Sequence, residues 1–207
     1  MPILIAILAI SYLLGSVPFG YLLVRIFHRE DVRQSGSGNI GATNVSRKSR
    51  GLGVCTLLLD ALKGTAAVGV GYFLSGHMGL AVLPFRVMSL AALFAVIGHA
   101  FPVWLEFRGG KGVATALGAF AVIAPKSILI AVVIFIAVFA LSRYVSAASV
   151  VAVAIFPLAG WRLHEYGQAR LALIFMLLTS LLIVARHYQN IRRLLSGTEN
   201  RFGAKTC

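Results

Sequence analysis

Seven stretches of this chain are uncharged or nearly so, at residues 3–24, 51–75, 87–105, 112–125, 127–142, 144–161 and 171–185. An α-helix rises about 1.5 Å per residue and the hydrocarbon core of a bilayer is about 30 Å thick, so roughly 20 apolar residues cross it. The fourth is the shortest, too short to cross comfortably. The recurring length points to an all-α integral membrane protein, a single polytopic domain over residues 1–207. Only 12% of the residues are charged and 59% are hydrophobic, outside the range of soluble globular domains.

The charges that remain are lopsided, nineteen Lys and Arg against six Asp and Glu. They sit in short breaks between apolar runs and not along one polar face, which argues against nucleic acid as a partner. Short cytoplasmic loops accumulate Lys and Arg, so the same charges report sidedness. If residues 112–142 formed one kinked helix there would be six crossings, with ten basic residues inside, seven outside and Lys126 stranded in the membrane. Seven crossings with the N-terminus outside and the C-terminus cytoplasmic place fourteen inside, and only Arg86, Lys126, Arg162 and Arg170 outside. The positive-inside rule prefers seven. The short fourth helix must then lie where the bundle is thinned or lined by protein, which hints at a site. No basic segment precedes the first apolar run, whose first charge is Arg25, so that run is expected to persist as an anchor. Cys55 and Cys207 have neither disulfide-framework nor metal-ligand spacing.

Seven crossings bring four polar segments to one face. In "SGSGNIGATNVSRKSR", residues 35–50, glycines alternate with Ser35, Ser37, Asn39, Thr43 and Asn44, and Arg47, Lys48 and Arg50 follow. Glycine permits turns that aim successive N–H groups into an anion-binding concavity; a solvated turn-rich loop, or a basic edge drawn to lipid headgroups, has the same composition. "FRGGKGVAT", residues 107–115, places Arg108 and Lys111 around glycines before the short helix, where free N–H groups and the helix dipole favour anions. It is not a Walker loop, because Leu105 and Gly112 stand where that motif needs Gly and Ser or Thr. Lys111 and Thr115, four apart, would share a helix face. In "ARHYQNIRRLLSG", residues 185–197, His187 neighbours Asn190 at helical spacing, and Arg186, Asn190 and Arg193 form a second row. His187 has the side-chain chemistry of a general base, or of a hydrogen-bonded interfacial residue. Arg143 and Ser146 mark another helix boundary on this face, where an anchor and an N-cap would look the same. Asp60 and Lys63, three apart within an apolar span, read as an ion pair, and His99 as a packing residue near the kink at Pro102.

The stretches "GSGNIGATN", "RGGKGVAT" and "RHYQNIRRLLSG", supported by "LLGSVPFGYLL", "DALKG", "GHAFP" and "RYVSAAS", resemble the bacterial membrane glycerol-3-phosphate acyltransferases that take acyl phosphate as donor. The resemblance covers nearly the whole chain. It implies a seven-helix fold in the bacterial inner membrane, with the active site open to the cytoplasm, and transfer of an acyl group to the 1-hydroxyl of glycerol 3-phosphate, giving lysophosphatidic acid and phosphate.

Joined with the residues, the resemblance assigns Ser37, Asn39, Thr43, Arg47, Lys111, Thr115, Ser146 and Asn190 to substrate binding, and His187 to catalysis as base or orienter. A substrate phosphate is the alternative base. Acyl phosphate and glycerol 3-phosphate are the expected small-molecule partners within membrane lipid; no metal, organic cofactor or obligate protein partner is implied. The rival class is a transporter or channel for an anionic metabolite, which inverted repeats would favour; the two halves show no convincing similarity.

Overall fold

The computed structural model describes residues 2–76, 84–166 and 169–203. Within them all regular structure is helical: α1 Pro2–Ser16, α2 Phe19–His28, α3 Ala42–Lys48, α4 Arg50–Ser75, α5 Pro84–Ala100, α6 Val113–Ile123, α7 Pro125–Ser142, α8 Val145–Arg162, α9 Arg170–Arg186 and α10 Tyr188–Leu195. Lys205 and Cys207 lie outside the described residues, and Cys55 is an exposed free thiol.

Among the described residues five stretches are long and apolar enough to cross a membrane: Pro2–His28, Arg50–Ser75, Pro84–Leu105, Pro125–Ser142 and Val145–Arg162. α9 and α10 make a sixth if counted together across their 56° bend. Large apolar side chains such as Leu129, Val133, Ile136 and Leu141 on α7 stay exposed, and among the described residues of α7 only Ser127 and Ala131 are buried. An outer surface of this kind is what lipid solvates. The chain is a multi-pass membrane protein.

Prolines divide the apolar runs where they lack an N–H and crowd the preceding turn. The run 3–24 is not one helix: it breaks at Val17 and Pro18 between α1 and α2. α5 stops at Ala100, and a 3₁₀ turn, Val103–Leu105, follows Pro102 in place of the helix expected through 105. Residues 112–142 likewise do not form one kinked helix. α6 ends at Ile123, and Pro125 takes the first position of α7. α6 packs into α4 and α5, whereas α7 pairs with α8.

The main core lies between α4, α5, α6, α8 and α9, where Val68, Met88, Val96, Phe120, Phe156, Met176 and Ile183 interlock. Lipid tails are as apolar as leucine, so helices in a membrane associate through close packing and hydrogen bonds, and small residues are needed where backbones touch. Two reciprocal glycine contacts meet that need. A Cβ at Gly15 of α1 would strike the Ala95 carbonyl of α5, and one at Gly98 would strike the Tyr12 carbonyl in return. Likewise Gly64 of α4 faces the Thr115 carbonyl of α6, and Gly118 faces the Ala61 carbonyl of α4. Thr65 adds a hydrogen bond from its hydroxyl to the Gly118 carbonyl at 2.9 Å.

α6 has 11 residues, about 16 Å of helix, so it cannot span the bilayer alone and its place is set by this seam. Gly118→Val is therefore expected to destabilise the protein by at least the usual overpacking cost of about 1–3 kcal/mol. The check is the thermal midpoint in detergent; an unchanged midpoint would mean that α6 is held elsewhere.

Candidate active site

The loop between α2 and α3 begins with a 3₁₀ turn, Val32–Gln34, capped by Asp31, whose carboxylate also pairs with the Arg33 guanidinium at 2.7 Å. Gly36 and Gly38 adopt left-handed φ values of 60° and 69°, where a Cβ is disfavoured. The buried side chain of Asn44 staples the loop: its carbonyl accepts from Ser37 N–H at 2.9 Å, and its amide donates to the carbonyls of Val32 and Ser35 at 3.1 and 3.0 Å. Asn39 accepts from Gly41 N–H at 2.8 Å, and the Ser35 carbonyl accepts from Gly38 N–H at 3.0 Å. The N–H groups of Ser37, Gly38 and Gly41 are thus spent inside the loop, and its side chains remain to meet a ligand.

The second segment turns tightly after α5. Glu106 and Phe107 both sit at positive φ, 53° and 61°, conformations that non-glycine residues hold only when their surroundings over-determine them. Gly109 and Gly110 donate their N–H groups back to the carbonyls of Ala100 and His99 at 3.2 and 3.0 Å. From the other side Arg186 clamps the loop, its Nε donating to the Gly110 carbonyl and its Nη2 to that of Gly109, both at 3.2 Å, while the guanidinium lies over Phe101. Gly112, at φ 88°, then starts α6. Lys111 therefore precedes the helix and shares no face with Thr115, contrary to the spacing argument. Thr115 is fully buried in α6, and its hydroxyl has no hydrogen-bond partner among the described residues.

The third segment bends at His187, so Arg186 belongs to α9 and does not continue the row of Asn190 and Arg193 on α10. The Asn190 side-chain carbonyl accepts from Lys111 Nζ. Its amide donates to Glu199 Oε1 at 2.6 Å, which also accepts from Ser146 Oγ at 2.7 Å, and Glu199 Oε2 accepts from Arg193 Nε at 2.7 Å. Ser146 is accordingly not an N-cap; Tyr144 holds that position in α8. Burial works to raise the Glu199 carboxyl, but the bonds from Arg193, Asn190 and Ser146 outweigh it and hold the group below the usual carboxylate range. Glu199 was visible in sequence only as the sole acid of the tail; its carboxylate turns out to join α8 to α10.

These segments surround a cavity of about 770 Å³ lined by Arg33, Ser37, Asn39, Arg108, Lys111, Arg186, Asn190 and Arg193. Five cations thus meet two carboxylates, Asp31 and Glu106, of which Asp31 is already paired. Arg47 and Thr43 are exposed on α3 and do not line the cavity, although Arg47 lies beside Gly36 and its charge acts on Lys111. His187 and Ser146 are buried behind the wall. Among the described residues no group of three or more His, Cys, Asp or Glu comes together to hold a metal.

Lys111 and His187 have strongly displaced proton affinities. Burial, with Arg193, Arg47 and Arg186 adding repulsion against the attraction of Glu199, brings Lys111 down to about 8. Burial, then the Lys111 charge, lowers His187 to about 4. His187 Nδ1 lies 2.8 Å from the Ile183 carbonyl, which only a protonated Nδ1 can satisfy; the neutral ring then carries its lone pair on Nε2.

Residues 5–197 match the family model for glycerol-3-phosphate acyltransferase. This chain belongs to that family. The glycerol-3-phosphate acyltransferase of Sinorhizobium medicae is 46% identical over 99% of this chain and 95% of its own length, and that of Mesorhizobium japonicum is 47% identical over 98% and 97%. Among solved structures, PlsY (YgiH), an integral membrane glycerol 3-phosphate acyltransferase, aligns in its glycerol 3-phosphate form with a TM-score of 0.86 at 36% identity, covering 97% of this chain and 96% of that one. Its lysophosphatidic acid form aligns with a TM-score of 0.83 at 35% identity, covering 97% and 95%. Membership makes the enzyme an acyltransferase.

Removing the acid from its three donors, as in Glu199→Ala, is expected to cost about 1–3 kcal/mol, read as a lowered thermal midpoint in detergent. The value near 8 for Lys111 sets a pH dependence. Lys111 is charged below that pH and loses its charge as the pH rises through it, so anion affinity falls on the alkaline side. Sulfate, whose charge is constant over this range, should bind roughly tenfold more weakly at about pH 9.5 than at about pH 7, a difference of about 1.4 kcal/mol by calorimetry. The slope should vanish in Lys111→Gln.

Proposed function

We propose that this acyltransferase moves a fatty acyl group from acyl phosphate to the 1-hydroxyl of glycerol 3-phosphate, forming lysophosphatidic acid and inorganic phosphate. The observation that carries the reading is the cavity: three sequence-remote segments bring five cations, Lys111 among them, and the side chains of Ser37, Asn39 and Asn190 around one polar space. A water-soluble phosphate ester fits this polar space. The related PlsY structures in glycerol 3-phosphate and lysophosphatidic acid forms support the same acceptor and product. In this reading α6 counts as a short seventh crossing, the N-terminus lies outside, and the cavity opens to the bacterial cytoplasm from the inner membrane. The excess of basic residues at the cavity end supports that orientation.

The acceptor hydroxyl oxygen attacks the acyl carbonyl carbon, the bond from that carbon to the phosphate oxygen breaks, and phosphate leaves with the electron pair. Acyl phosphate is already activated, so no covalent enzyme nucleophile is required. Holding both substrates in attack geometry contributes about 7–11 kcal/mol, more than the roughly 10²–10⁴-fold typical of a general base. The hydroxyl proton passes to a substrate phosphate in our reading. His187, lowered to about 4 and with Nδ1 held at the Ile183 carbonyl, is a weak proton acceptor at neutral pH and in our reading serves as an orienter, at the bend from which α10 carries Asn190. Ser37 and Asn39 bind substrate directly, Arg47 contributes its charge from beside Gly36, and Ser146 supports the wall through Glu199, while Thr43 and Thr115 do not line the cavity.

Purified enzyme given acyl phosphate and labelled glycerol 3-phosphate should form labelled lysophosphatidic acid. Uptake of the phosphate compound into vesicles without any acylated product would replace the reaction with transport. His187→Gln should retain much of its turnover, whereas loss by many orders of magnitude with intact substrate binding would make His187 the base. Lys111→Ala should raise the apparent substrate requirement and lower turnover; unchanged kinetics would remove Lys111 from the site.

A further inference from the structure

Below the cavity, in the membrane-spanning part of the bundle, lies a group of ionisable side chains that the acyl-transfer reaction does not use. Asp60 and Lys63 of α4 pair at 2.7 Å, each with a side chain only 3% exposed, and His99 of α5 points Nδ1 at Asp60 Oδ1 from 3.6 Å. Lys63 also donates to the Val17 carbonyl at 2.8 Å, at the proline break between α1 and α2, and lies over the Phe19 ring. Ionisable groups at this depth are costly, and apolar replacements of a buried pair are often neutral or stabilising. Stability alone therefore gives a weak reason for the pair.

Its geometry gives a better one. His99 reaches the substrate loop twice. Its carbonyl accepts the Gly110 N–H at 3.0 Å, and its ring packs so closely under Gly110 that a Cβ there would collide with Nε2. The next residue is Lys111. Asp60 thus faces the His99 ring through an electrostatic contact too long for a hydrogen bond, the ring packs under Gly110, and Arg186 donates to the carbonyl of the same glycine. The preceding turn holds Glu106 and Phe107 at positive φ, which requires just such a determined surrounding.

We propose that Asp60, Lys63 and His99 form an intramembrane footing that positions the Gly109–Gly110–Lys111 loop for capture of the acceptor's phosphate. They are positioning residues, acting on substrate only through that loop. This rests on the reaction proposed above, with glycerol 3-phosphate held beside Lys111.

The test uses the full-length enzyme in detergent, with Asp60→Asn as the first variant and Asp60→Leu combined with Lys63→Leu as the second. The second leaves no unpaired charge in the membrane and so protects against simple misfolding. In folded variants the apparent KM for glycerol 3-phosphate should rise by about tenfold or more while kcat stays within about threefold, the signature of lost binding and not of lost chemistry. Hydrogen exchange at the amides of Gly109, Gly110 and Lys111 should speed up, with exchange in the α4 and α8 interiors unchanged. Unchanged KM and unchanged loop exchange would overturn the footing, as would a fall in kcat and thermal midpoint together at constant KM. Exchange does not depend on turnover. If the wild-type protein transfers no acyl group, the reaction falls by itself, and loop exchange in the variants still decides the footing: faster exchange upholds it and unchanged exchange ends it.

Discussion

A helix of 11 residues is too short to cross a bilayer of ordinary thickness unaided, and the polar end of this protein is arranged around how that helix is held. In lipid there is no hydrophobic force to press α6 against its neighbours, so contact has to come from shape and hydrogen bonding. Gly64 and Gly118 let the backbones of α4 and α6 meet, and Thr65 bonds across the seam. With α6 fixed, its start is fixed too, and Lys111 emerges beside α10 instead of on the helix.

The cavity that results is built by segments that first satisfy themselves. Backbone amides of Ser37, Gly38, Gly41, Gly109 and Gly110 are all used in loop closure. Such turns make rigid frames for side chains, and rigidity suits a reaction whose barrier falls chiefly through positioning. Charge is concentrated in the same economical way: Arg186 spends its donors on the carbonyls of Gly109 and Gly110, and Arg193 on Glu199. Lys111, which bonds a neutral amide, keeps its charge available to an anion.

Much of this was legible in the chain. Apolar runs separated by basic breaks marked the helices within a few residues, and three polar stretches named Ser37, Asn39, Lys111 and Asn190, which do line one cavity. Less legible were the breaks at Pro18 and Pro102, because a proline inside an apolar run of the right length can kink a helix or end it. Thr115 illustrates a different difficulty. Spacing from Lys111 put it on the site face, but Gly112 at φ 88° places the helix start after Lys111, and Thr115 turns into the bundle. Arg186 and Glu199 gave only faint signals, a place in a helical row and the one acid of the tail, since the Gly110 carbonyl and the Ser146 hydroxyl that help define their roles lie more than fifty residues away.

By itself the sequence determined that the protein lives in a membrane, which segments are helical and which residues are polar enough to serve an anion. Those properties depend on transfer free energies and charges that nearly add along the chain. Only the tertiary structure decided which donors are spent and which remain. That depends on directed bonds between distant segments: Ser146 and Asn190 converge on Glu199, Arg186 clamps the loop before Lys111, and Lys63 reaches the Val17 carbonyl. Hydrogen bonds are short-ranged and angular, so no count of residue types along the chain contains them.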